Sequence, residues 1–237
     1  MSRNARWPTV AAKRLVDIAG SLFGLILLSP LLLTLAVLVR RHLGSPIFFR
    51  QVRGGKDGRP FRVWKFRTMT DARDSSGRLL PDRERLGRFG IFLRSYSLDE
   101  LPNLISVLTG EMSLVGPRPL ILRYVPRYNE RQRLRLTVKP GLTGLAQLAG
   151  RNCLDWDARL ELDAVYAERV SLFLDLRLIL MTLGKVIARE GVIVSAGSDM
   201  EEFWGILGKP PGVAPSGGAD EDESLAMHTG IPAKQMR

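Results

Sequence analysis

Asp99 and Glu100 are a pair of adjacent carboxylates whose setting suits covalent chemistry. They follow Ser97 and open a run of helical spacing through Leu101, Leu104, Ile105 and Leu108 that stops near Gly110, with Pro102 suited to a first turn. A carboxylate at a helix N-terminus feels the positive end of the macrodipole, so it is held ionised where anions are also attracted. With Arg94, Arg118 and a divalent cation, such a carboxylate makes a site for phosphoryl chemistry: the cations screen a phosphate and Asp99 attacks phosphorus. The same spacing also fits a capping box formed by Ser97 and Glu100, in which case both acids serve only the helix, and spacing alone leaves the two readings open. Arg118 sits in Gly116-Pro117-Arg118-Pro119, a stiff loop that can present a phosphate ligand or merely connect. Lys65 and Arg67 fall on an alternating stretch and read equally as solvated strand charges. Neighbouring residues on a helix point about 100° apart, so Asp99 and Glu100 are poorly placed to flank a glycosidic bond.

Other chemistries are excluded by composition. The two histidines, His42 and His228, lie far apart and Cys153 is the only thiol, so any metal must be held by carboxylate oxygens. A single cysteine cannot form an internal disulfide. The 237 residues are 45% hydrophobic and 25% charged, which excludes a disordered, collagen-like or polytopic membrane chain. Net charge is +11, and Arg40 to Arg94 carries thirteen arginines and two lysines against five carboxylates, nearly the whole excess. Such a surface seeks polyanions: nucleic acid, an anionic membrane leaflet or phosphorylated small molecules.

These residues need elements to carry them. Ile18 to Val39 is 22 residues without a charge, long enough to span a bilayer as one helix. Ser29-Pro30 interrupts it at the middle, where proline removes a backbone donor and a nearby serine hydroxyl can bond back to the chain. Both flanks are basic, with Lys13 and Arg14 before the run and Arg40 and Arg41 after it, so a straight span would violate the positive-inside rule at one end. A re-entrant helix-break-helix over residues 1–41, with Lys13 and Arg14 at the membrane interface, satisfies both ends; a plain transmembrane helix with a proline kink is the alternative. A short β-hairpin follows, with strands near Ile47-Phe48-Phe49 and Phe61 to Phe66 around the turn-rich Arg53 to Gly58, which lacks the spacing of a phosphate-binding P-loop. Two helices are expected at Trp156 to about Arg169 and Ser171 to Arg189, the second apolar yet charged, suited to a membrane surface or a core. The resulting class is α+β, mostly helical: a membrane-associated segment 1–41, a small domain 42–204 with the hairpin and amphipathic interfacial helices, and a solvated tail 205–237.

Seven segments recur together in order from about Lys13 to Gly191: Lys13-Arg14-Leu15-Val16-Asp17; Ser29-Pro30; Lys65-Phe66-Arg67-Thr68-Met69; Arg94 through Pro102; Met112 through Pro119; Lys139-Pro140-Gly141-Leu142-Thr143-Gly144; and Gly150-Arg151-Asn152. The ordered set resembles the bacterial sugar transferases, the monotopic polyprenyl-phosphate phosphoglycosyl transferases, in minimal form. The resemblance implies a catalytic domain on the cytoplasmic face of the bacterial inner membrane that transfers a sugar 1-phosphate from a UDP-sugar to polyprenyl (undecaprenyl) phosphate, beginning a polysaccharide or glycoconjugate. It implies Asp99 as the nucleophile that forms a phosphosugar-aspartate, Glu100 as its companion acid in metal positioning or proton handling, and Mg2+ near Asp99. Lys65, Arg67, Arg94, Arg118, Arg151 and Asn152 are the expected phosphate or nucleotide contacts. It implies no nucleic-acid partner and leaves a homodimer open. Leu145, Ser106, Glu111 and Asn103 depart from residues common in the family, which bears on the donor sugar and not on the reaction. The rival is a membrane-anchored basic module that binds anionic lipid or nucleic acid through the basic segment, with salt-governed affinity indifferent to Asp99.

Overall fold

A computed structural model describes residues 7–150, 154–188 and 202–208. The uncharged run forms two helices, α1 (Trp7–Leu27) and α2 (Ser29–Leu43), bent by 62° at the break. The cause is local. Pro30 lies in the first turn of α2 and has no N–H to give the Ile26 carbonyl four residues back; the Ser29 hydroxyl donates to that carbonyl instead, at 2.8 Å. Among the described residues no single helix is long and apolar enough to cross a membrane, whereas the bent pair passes that test together.

Both ends of the pair are fastened to the same domain. In α1, Asp17 accepts hydrogen bonds from the Ser113 hydroxyl and the Leu114 N–H, each at 2.9 Å. In α2, Leu35 and Val39 pack in a buried cluster with Phe66 and Leu93. The stretch around the bend, including Phe23, Ile26, Leu27 and Leu33, is exposed and apolar.

The expected hairpin is present as β1 (Phe48–Gly54) and β2 (Pro60–Phe66), antiparallel from Phe48↔Phe66 to Gly54↔Pro60. A turn-rich segment with the short α3 (Asp82–Arg85) leads to α4 (Arg88–Ser95), which sits tightly on the chain leaving β2: a Cβ on Gly90 would lie 1.9 Å from the Thr68 carbonyl oxygen, so only glycine fits. Then come a 3-10 turn at Leu98–Glu100, α5 (Asn103–Thr109), β3 (Ser113–Val115), α6 (Glu130–Arg133) and β4 (Gly141–Thr143), which pairs with β3 in parallel. Gly116 and Gly141 let these segments touch, since a Cβ on Gly141 would fall 2.0 Å from the Gly116 nitrogen. Next come α7 (Leu145–Ala149), α8 (Trp156–Glu168) and α9 (Leu172–Ala188), the last two close to the expected bounds. Phe203 plugs an aromatic core with Tyr124, Tyr128, Trp156 and Leu160. Among the described residues the fold is mostly helical α+β, with two small two-stranded sheets.

One expectation is corrected. Ser97 and Glu100 form no capping box: Ser97 adopts a left-handed conformation (φ 54°) and its side chain makes no cap bond. The helical path still begins there, first as the 3-10 turn and then, past Pro102, as α5. The αL residue turns the chain sharply enough that Asp99 points into the domain and Glu100 toward β2.

Candidate active site

The Leu98–Glu100 turn lies against β2, and Asn103 fixes it there: its side-chain oxygen accepts the Trp64 N–H at 2.8 Å. β2 brings Lys65, the loop after β3 brings Arg118, and α4 brings Arg94. Glu100 joins two of these cations. Lys65 donates to its Oε1 at 2.8 Å; Arg118 donates to the same oxygen at 2.6 Å and to Oε2 at 3.3 Å. Arg94 donates from Nε to the Thr68 hydroxyl at 3.1 Å, with its charge felt at Asp99.

The two carboxylates are thereby given opposite characters. Glu100 is held well below the ordinary carboxylate range, because the Arg118 and Lys65 charges and their hydrogen bonds outweigh its burial. Asp99 is 7% exposed and makes no hydrogen bond or ion pair with any described residue. Burial, aided by the negative charge of Glu100, raises it to about 6 against the pull of Lys65, Arg94 and Arg118. A buried carboxylate without a partner costs stability, and structural carboxylates are hydrogen-bonded. Both oxygens of Asp99 stay available for something the protein does not itself supply.

Among the described residues no three acidic, histidine or cysteine side chains cluster as a metal cage. Magnesium does not require one, since it is commonly bound by one or two carboxylates together with substrate phosphates. The unpartnered carboxylate of Asp99 meets that requirement. Glu100 meets it less well, because its oxygens are already taken by cations.

The remaining sequence-derived candidates divide. Arg67 is not brought to the dyad: its guanidinium donates to the Met69 and Ser45 carbonyls, each at 2.8 Å, and pairs with Asp71 at 2.5 Å, which fixes the chain leaving β2. Lys13 and Arg14 tie α1 to the domain. Lys13 pairs with Asp175 at 2.6 Å and donates to the Val115 carbonyl at 2.9 Å, while Arg14 donates to the Val107 and Leu108 carbonyls at 2.6 and 2.7 Å, closing the end of α5. Arg151 and Asn152 lie outside the described residues. Sequence reasoning missed Asn103 as the anchor of the turn, and it missed the buried pair Arg135–Asp163 beneath Arg118. A signal for the second existed: Asp163 falls on the apolar face of α8 with Leu160, Ala164 and Ala167, and a carboxylate on such a face needs a buried partner.

The sequence profile of a family described as bacterial sugar transferase matches residues 8–189. The chain is 48% identical over 193 residues to the uncharacterized sugar transferase EpsL of Bacillus subtilis (strain 168), covering 81% of this chain and 96% of that one. It is 44% identical over 183 residues to the UDP-glucose:undecaprenyl-phosphate glucose-1-phosphate transferase of Klebsiella pneumoniae, covering 73% of this chain and 39% of that one. It is 38% identical to the galactosyl transferase CpsE of Streptococcus agalactiae serotype III (strain NEM316), covering 78% of this chain and 44% of that one. The last two proteins are thus much longer than the part this chain matches.

Proposed function

The chain belongs to the bacterial sugar transferase family, and from that premise we propose that it moves a sugar 1-phosphate from a UDP-sugar to polyprenyl phosphate at the cytoplasmic face of a bacterial inner membrane, with Asp99 as nucleophile. The observation that carries the reading is Asp99 itself: buried, unpartnered and ringed by Lys65, Arg94 and Arg118. The activity for which the Klebsiella relative is named supports the donor and acceptor classes.

An Asp99 oxygen attacks the phosphorus that bears the sugar. The bond from that phosphorus to the bridging oxygen breaks, and uridine monophosphate leaves with the electron pair, giving a phosphosugar-aspartate. An oxygen of the polyprenyl phosphate then attacks the same phosphorus, the aspartyl bond breaks, and the Asp99 carboxylate is restored. The sequence closes without a net proton transfer when the acceptor arrives fully ionised. One carboxylate serving two displacements makes the kinetics ping-pong. Desolvation keeps the nucleophile free of competing hydrogen bonds, and Lys65, Arg94 and Arg118 counter the charge of two phosphates approaching a carboxylate. Glu100, clamped and far too acidic to deliver a proton near neutrality, acts by holding Lys65 and Arg118 in place. Magnesium, held by Asp99 with the donor's phosphate oxygens, would supply further charge neutralisation.

The membrane topology that suits this reaction is re-entrant. Two facts support it: both ends of the bent pair are fastened to one domain, through Asp17 in α1 and through Leu35 and Val39 in α2, and both flanks are basic. The apolar bend then dips into one leaflet, and the dyad stays within reach of a soluble donor and a lipid headgroup. The test is uridine monophosphate release by detergent-solubilised protein with magnesium, a panel of UDP-sugars and polyprenyl phosphate. Release that needs a matching sugar and disappears in Asp99→Asn is the expected result; undiminished release by that variant would remove Asp99 from the role.

A further inference from the structure

We propose that Arg135, gripped by Asp163, is a positioning residue for Arg118, and that this buried pair fixes where the Arg118 guanidinium can reach. The proposal rests on the reading of Arg118 as a phosphate ligand in the reaction above. Pro117 and Pro119 flank Arg118 and have no N–H, so they cannot pin the loop by donating. Its upstream end is held by β4: the Gly116 N–H donates to the Thr143 carbonyl at 2.8 Å, and the Gly141 N–H donates to the Pro117 carbonyl at 2.9 Å. At Arg118 the hold is a side chain. Arg135 Nη2 donates to the Arg118 carbonyl at 2.6 Å.

Arg135 can do this because its other contacts leave it one orientation. Its Nε and Nη2 donate to Asp163 Oδ2 at 3.1 and 3.0 Å, and Nη1 donates to the Tyr128 hydroxyl at 3.0 Å. Both members of the ion pair are almost wholly buried. A buried pair kept only for stability is replaceable, since well-packed apolar residues of similar volume often serve as well or better. An apolar pair cannot donate to a carbonyl. The links run from Asp163 on α8, through Arg135, to the backbone of Arg118, whose guanidinium grips Glu100 and, through it, meets Lys65 on β2. Neither Arg135 nor Asp163 hydrogen-bonds or ion-pairs with Glu100, whose partners are Lys65 and Arg118, so their effect on the site passes through Arg118.

The double replacement Arg135→Met with Asp163→Leu separates the two roles. The expected result is a melting temperature near that of the wild type with kcat/KM for the UDP-sugar at least tenfold lower. Adding Arg118→Ala to it should cost no more than about twofold beyond Arg118→Ala alone, because both changes act through one side chain. Restored turnover in the apolar pair, or losses that multiply independently, would overturn the proposal. Arg135→Lys, which keeps the charge but not the fork, is the second variant should the apolar pair fail to fold, with the same two outcomes. Hydrogen exchange reads the claim without turnover: peptides covering residues 112–122 should exchange faster in either variant while α8 keeps its protection. Unchanged exchange in that loop would sink the proposal. An inactive wild type with the expected exchange pattern would count against the transferase reading alone.

Discussion

Replacing Asp99 by asparagine should abolish transfer and also make the protein more stable. Burial lifts the Asp99 carboxyl from 3.8 to about 6. A rise of about two pH units corresponds to about 3 kcal/mol of preference for the neutral acid. The sign follows from linkage. The folded state binds this proton more tightly than the unfolded chain, so the stability associated with the neutral acid is complete below 3.8. It is lost as pH rises toward 6 and stays lost above that. Asparagine has the shape of the neutral acid and does not titrate. The variant should therefore exceed the wild type by up to about 3 kcal/mol at pH 8, with roughly half that advantage remaining at pH 5. For a chain of this size each kcal/mol moves the melting temperature by about 2–4 °C. The assay is thermal unfolding of both proteins in detergent with EDTA between pH 5 and pH 8. A variant less stable than the wild type at pH 8, or a difference that does not change with pH, would refute the claim that Asp99 is a strained and unpaired carboxylate.

Three further outcomes are expected. The kcat/KM of the free enzyme should fall about tenfold for each pH unit below about 6, as Asp99 takes up the proton that blocks attack; a profile flat down to pH 5 contradicts this. Gly90→Ala puts a methyl group 1.9 Å from the Thr68 carbonyl oxygen, so it should cost about 1–3 kcal/mol by urea unfolding and slow transfer as α4 and Arg94 are displaced. Ala5→Cys in a Cys153→Ser background should resist an impermeant maleimide in intact cells and react after permeabilisation, whereas labelling in intact cells would show that the helix pair crosses the membrane.

Local signals in the sequence marked the elements well. The Ser29-Pro30 break, the hairpin around Arg53 to Gly58 and the last two helices follow from proline chemistry, turn residues and apolar periodicity, and the structure has all of them. The dyad was legible as a carboxylate pair among cations. What a single acid does was not legible, because that depends on partners far away in the chain. Glu100 is neutralised by Lys65, 35 residues earlier, and by Arg118, 18 later, which leaves Asp99 unpaired. The capping-box reading failed for a related reason. Ser-x-x-Glu spacing describes a regular first turn, and the left-handed Ser97 replaces that turn with a 3-10 one. Lys13, Arg14 and Arg67 have the composition of solvated charges, yet tertiary carbonyls and carboxylates engage them in the fold. Arg135 and Asp163, 28 residues apart, share no local pattern, and only the apolar face of α8 hints at them.

The proposed reaction depends on a covalent bond to Asp99. Its most direct test is the intact mass of the protein incubated with magnesium and the matching UDP-sugar, without acceptor. The expected result is a gain of one sugar phosphate per chain, mapped to the peptide containing Asp99, released on addition of polyprenyl phosphate and absent from Asp99→Asn. Turnover by the wild type with no such adduct, or an adduct that persists in Asp99→Asn, would contradict it.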